Sequence, residues 1–159
     1  MIRIAVGGAM VAVLAALAGA CSSSTGPTTD LILSGTWSGV LGAGSGGGRA
    51  LRITWTISQD GTRLSGPVTV STSPAVTPTV FNGTLTGDMT RSQVTMALAA
   101  RNESSACTIN GTGTAMASVL AIDGTLDVTF TGCDGLDVQP PAGNHLTLTK
   151  DRSASFSGP

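Results

Sequence analysis

A chain of 159 residues with eight Lys and Arg against nine Asp and Glu has a formal charge of −1, so it offers no basic surface to nucleic acid. Charged residues are 11% of the chain and Tyr is absent, which argues against an open polar catalytic cleft. The length suits one domain, and apolar residues recur too regularly along most of it for a disordered chain.

The first element is an apolar leader over residues 1–20. One cation, Arg3, opens it, no acidic residue enters it, and Ala18-Gly19-Ala20 precede Cys21. A membrane-spanning helix needs about 20 predominantly apolar residues, whereas Ile4 to Ala20 is shorter and holds three glycines. A short cationic start, an apolar centre of about 7–15 residues and small residues at the cut describe a secretory signal instead. The segment resembles the lipobox of bacterial lipoproteins, in which the cysteine is acylated and becomes the mature N-terminus. That resemblance implies lipidation of Cys21, with an ordinary secretory cut as the alternative. The polar run Ser22 to Thr29 that follows is expected to be part of a flexible tether over residues 21–33. Because Ser22 follows the cysteine, the resemblance further implies sorting to the outer membrane, facing the periplasm or the cell surface.

Beyond the tether the chain alternates. Leu51, Ile53, Trp55 and Ile57 are separated by Arg52, Thr54 and Thr56, the period-two signature of a half-buried strand. Leu120, Ile122, Leu126, Val128 and Phe130 repeat the pattern, with Gly124 keeping parity. Shorter versions run over Trp37–Leu41, Leu64–Val70, Phe81–Leu85, Val94–Leu98, Ile109–Ala115 and Leu146–Leu148. Asp60-Gly61 is a strong hairpin signal, since both residues tolerate positive φ. Gly87-Asp88 and Ala115 to Ser118 are weaker turn candidates. Longer loops are expected at Gly42 to Arg49, Ser71 to Pro78 and Cys133 to Asn144, each rich in Gly or Pro. These eight strands predict an all-β fold, an eight-stranded antiparallel up-and-down (meander) β-barrel. Closing the meander removes both exposed edges. The barrel domain is expected over 34–152, followed by a tail over 153–159.

Gly-Thr recurs inside these strands at Gly35, Gly83, Gly111 and Gly124. Strand glycines mark bends or close backbone approach, which a tightly coiled barrel requires. Apolar residues are expected inside and polar ones outside, because a spanning barrel needs aromatic girdles at both interfaces and aromatics are 3% of the chain. Cys107 begins the predicted sixth strand and Cys133 follows the seventh, so an antiparallel pairing makes them neighbours able to form a disulfide. An exported chain meets the oxidising conditions in which disulfides persist.

At Gly35-Thr36-Trp37 the chain resembles the calycins, the lipocalin and avidin-like barrels. The resemblance implies that Gly35 and Trp37 form a closed barrel end, with the indole lying across it. It also implies an arginine near the end of the last strand, here Arg152, covering that indole.

Candidate chemistry is sparse. His145 is the single histidine. Its parity with Thr147 and Thr149 points it outward, and no Gly-x-Ser-x-Gly nucleophile motif accompanies it. Asp123, Asp127, Asp134 and Asp137 offer oxygens to calcium but lack the ordered spacing of a calcium loop. The Thr-x-Thr pairs, from Thr54/Thr56 to Thr147/Thr149, suit the wet face of any strand. The expectation is therefore a non-enzymatic protein without metal or cofactor. It attaches to a membrane through its lipid and binds a small apolar ligand, for which Gly83, Gly111, Gly113 and Gly124 would leave interior room. The alternatives are a protein-interaction barrel, such as a protease inhibitor with residues 22–34 as its inserting segment, or a structural envelope lipoprotein.

Overall fold

The computed structural model describes residues 31–42, 49–73, 77–136 and 138–152. The leader, Cys21, most of the tether and the C-terminal tail lie outside these residues. Eight strands follow in order: β1 (Gly35–Leu41), β2 (Ala50–Asp60), β3 (Arg63–Ser73), β4 (Val80–Thr90), β5 (Gln93–Arg101), β6 (Thr108–Ala117), β7 (Ala121–Thr131) and β8 (His145–Lys150). Each pairs antiparallel with the next, and β8 returns to β1, closing the meander into a barrel. The alternation predicts this architecture because a strand with one apolar face must turn that face away from water. Curling the sheet on itself buries all eight faces at once.

Burial follows the sequence parity. In β2, Leu51, Ile53, Trp55 and Ile57 are buried while Arg52, Thr54, Thr56 and Ser58 are exposed. In β5, Val94, Met96, Leu98 and Ala100 face in. Among the described residues no polar side chain is buried. The core is thus apolar and continuous around the ring, and the wall lacks the outward apolar band of a spanning barrel. Trp37 and Trp55 sit directly opposite each other across β1 and β2, both wholly buried. Across the ring, the Phe81 and Phe130 rings lie 5.8 Å apart in a tilted arrangement.

The meander gives the barrel two unlike ends. Three tight turns, β2–β3 at Gly61-Thr62, β4–β5 at Arg91-Ser92 and β6–β7 at Ser118 to Leu120, share the end where β1 begins and β8 finishes. The longer connections, β1–β2, β3–β4, β5–β6 and β7–β8, share the opposite end. At the first end the turns latch onto their neighbours. Thr62 O accepts from Met89 N–H and Ser92 O from Ala117 N–H, each at 2.7 Å, and Leu120 O accepts from Lys150 N–H at 3.1 Å. These bonds satisfy carbonyls that a tight turn otherwise leaves without a ladder partner.

Two sequence expectations require correction here. Gly87-Asp88 is not a turn: β4 runs through it to Thr90, with Leu85, Gly87 and Met89 all on the inner face. The chain reverses at Arg91-Ser92, where Arg91 takes a φ of 59° without being glycine. The β6–β7 turn falls at Ser118 to Leu120 and not at Ala115 to Ser118, because β6 continues to Ala117. Leu120 is therefore not the first inward residue of the seventh strand but lies in the turn, 58% exposed.

Candidate functional site

Trp37 closes the end carrying the tight turns. It is fully buried, and its indole N–H donates to Leu33 O at 2.6 Å. Leu33 is fully buried as well, because the entering chain folds across the barrel end. Gln59, at the end of β2, holds it there: its Oε1 accepts from Leu33 N–H at 2.7 Å, and its Nε2 donates to Leu31 O at 3.0 Å. The sequence reading missed Gln59, although its parity with Ile57 placed a polar side chain at the inner rim.

The cation over Trp37 is Lys150, its Nζ 5.5 Å from the ring centroid. Arg152, the residue expected there, is exposed. Parity explains the difference: Lys150 follows Leu146 and Leu148 on the inner face of β8 and pairs with Trp37 in register, whereas Arg152 lies past the strand. Gly35 lets the lysine lie down, since a Cβ there would stand 3.0 Å from Lys150 Cε. Gly35 and Trp37 therefore share the closed end with Lys150, Gln59 and Leu33, and Arg152 does not join them.

The inward glycines do not leave empty space. A Cβ at Gly83 would lie 2.1 Å from Ala99 O, at Gly113 2.0 Å from Thr125 O, and at Gly124 2.2 Å from Thr114 O. At Gly111 the nearest atom, Asp127 O, would be 2.7 Å away. Neighbouring backbone occupies the room these residues vacate, so they permit tight coiling, the role expected of strand glycines. An eight-stranded barrel is just wide enough for its own side chains to fill. One polar group within stands out: Trp55 Nε1 is buried with no hydrogen-bond partner.

At the opposite end a disulfide joins Cys107, just before β6, to Cys133, just after β7, with Cα atoms 4.3 Å apart. The terminal pair Thr108 and Thr131 brings these cysteines together. The bridge ties the β5–β6 loop to the β7–β8 loop. The former is further ordered by Asn102, whose side chain donates to Val80 O at 2.8 Å and accepts from Ser104 N–H at 3.0 Å. Beside this end a shallow hollow crosses the outer wall of β4–β6, lined by Asn82, Thr84, Ala99, Arg101, Thr108 and Asn110.

His145 lies on the outer wall. Its Nε2 is 3.3 Å from Asp123 Oδ1, and the two side chains are 62% and 59% exposed. Thr147 donates its hydroxyl to Asp123 Oδ2 at 3.1 Å, and its Oγ1 also lies 3.4 Å from His145 Nδ1. Asn144 donates to Asp127 at 2.7 Å, which engages the second acidic residue. Among the described residues no three His, Cys, Asp or Glu side chains gather to hold a metal ion. Asp137 lies outside the described residues. No helix among the described residues is long and apolar enough to cross a membrane.

No protein-family model, curated protein or solved structure matches the chain.

Proposed function

We propose that the protein is a lipid-anchored, non-catalytic barrel of the cell envelope, held at Cys21, that recognises a partner protein through the loops of its disulfide-braced end. The observation that carries this reading is the separation of the two ends. The chain from the proposed anchor enters at the closed end through Leu31 to Leu33, held by Gln59. The long loops all emerge at the other, where Cys107–Cys133 braces two of them. Loops on a rigid scaffold are the usual carriers of recognition, and a bridge between two of them lowers the entropy lost when a partner orders them. Two observations support a non-enzymatic reading. His145 and Asp123 are widely exposed on the outer wall. The hydroxyl near the imidazole, Thr147 Oγ1 at 3.4 Å from Nδ1, donates to Asp123, whereas a catalytic base must be positioned against its target.

Photo-crosslinking residues introduced at Ser104 and at Thr62 in the native envelope test this reading. A discrete protein adduct from Ser104, absent from Thr62, is the expected result. Identical adducts from both positions, or none from Ser104, would exclude recognition through the braced loops.

A small-ligand reading has one observation in its favour, the unpartnered Trp55 N–H inside the barrel. A buried donor without an acceptor is costly, and a ligand bringing an oxygen acceptor would satisfy it. Titrating the Trp37→Phe variant with apolar probes bearing a carbonyl makes Trp55 the sole indole reporter. A saturable change in its fluorescence supports that reading, and an unchanged spectrum at all concentrations removes it.

A further inference from the structure

The exposed apolar side chains of this barrel are not scattered evenly. Met116, Val119 and Leu120 are 57%, 61% and 58% exposed and are gathered at the β6–β7 tip. Leu120 O accepts from Lys150 N–H, which places the tip beside the strand end that covers Trp37. Ile32, 64% exposed, belongs to the segment that Gln59 holds against the same end. The other large exposed apolar residues, Val40 and Val80, are less exposed, at 42% and 37%, and lie toward the opposite end.

We infer that the closed end of the barrel rests on the bilayer surface, with Met116, Val119 and Leu120 as its apolar footing. The inference rests on the reading of Cys21 as the lipidated residue. The anchor's position selects lipid as the occupant. Leu31 follows Cys21 by ten residues, and ten residues span at most about 33–36 Å even when fully extended. The acyl chains therefore hold the entry point at Leu31, on this end, within that distance of the membrane.

Apolar side chains at such a surface bury themselves about 5–10 Å into the headgroup and acyl boundary. Charge alone does not orient the barrel, because Arg63, Arg91, Lys150 and Arg152 at this end are offset by Asp60, Asp88, Asp123 and Asp151. The apolar tip supplies the direction. With the closed end on the bilayer, the braced loops face away from it, where a partner in the aqueous compartment reaches them.

The test uses full-length protein carrying the acyl anchor, reconstituted in phosphatidylcholine vesicles that contain a spin-labelled lipid. A fluorophore is placed on Val119→Cys, Thr62→Cys or Ser104→Cys in separate samples. Loss of fluorescence at Val119→Cys and Thr62→Cys, with Ser104→Cys unaffected, is the expected result. Adding Met116→Ser and Leu120→Ser, both changes at exposed positions that leave the core intact, should bring quenching at Thr62→Cys down toward the Ser104→Cys level. Equal quenching at all three labels on an acylated chain overturns the orientation alone. Disulfide cross-linking between unlabelled Val119→Cys copies on the vesicle would also overturn it, by assigning the tip to a dimer. A chain whose mass shows no acyl group removes the anchor and this inference with it.

Discussion

At the residue scale the weight of the fold falls on Trp37, whose indole fills the closed end between Leu33 O and Lys150. Trp37→Ala should destabilise the domain by about 3–5 kcal/mol, the range for truncating a buried aromatic, measured as a shift in the urea midpoint. In a Trp55→Phe variant the remaining fluorescence reports Trp37 alone, and acrylamide should quench it weakly until the protein unfolds. Gly39 makes a second test: a Cβ there would sit 1.8 Å from Thr147 O. Gly39→Ala must therefore push β8 away from β1, and folded protein should be largely lost from a thermal-melt assay at the wild-type midpoint. Trp37 was legible from its parity within β1. Lys150 was equally legible from Leu146 and Leu148, but following the lipocalin pattern to an arginine moved the cation two positions too far. Gln59 went unseen because a polar residue ending an inward-facing run reads as the end of burial, and its partners, Leu31 O and Leu33 N–H, are backbone atoms.

At the scale of elements, the eight alternating segments were readable because every strand has one apolar and one polar face. Period-two alternation carries that information directly. Turns were less readable. Gly87-Asp88 has turn chemistry, but Gly87 is an inward strand position that faces Leu64 and Met96 in its two neighbours. The actual β4–β5 turn puts its positive φ on Arg91, a residue type that gives no such signal. A non-glycine residue in that conformation costs about 1–2 kcal/mol, part of which glycine would return through its greater loss of freedom on folding. Arg91→Gly should therefore raise stability by about 0.5–1 kcal/mol in denaturant unfolding; a loss of stability would show that the Arg91 side chain has a role in the folded state. The Cys107–Cys133 bridge closes a separation of 26 residues and should contribute about 3–4 kcal/mol in the chain-entropy model. Non-reducing peptide mapping should recover the two cysteines in one linked peptide, and free thiols at both positions would remove that contribution.

At the scale of the whole molecule, the barrel has a polar wall and an apolar interior and differs at its two ends. Sequence alone left open whether the interior glycines made room for a ligand. Parity shows which way a residue points, but not how closely the next strand approaches it, and here that strand fills the space. The proposed function depends on the asymmetry: an anchored chain entering at the closed end gives the braced loops a defined outward direction. Intact-mass and N-terminal peptide analysis of protein extracted from its own membrane tests this most directly. The account predicts a mature chain beginning at Cys21 with acyl mass on that residue, and loss of that mass in the Cys21→Ser variant. An unmodified chain that begins elsewhere would contradict it.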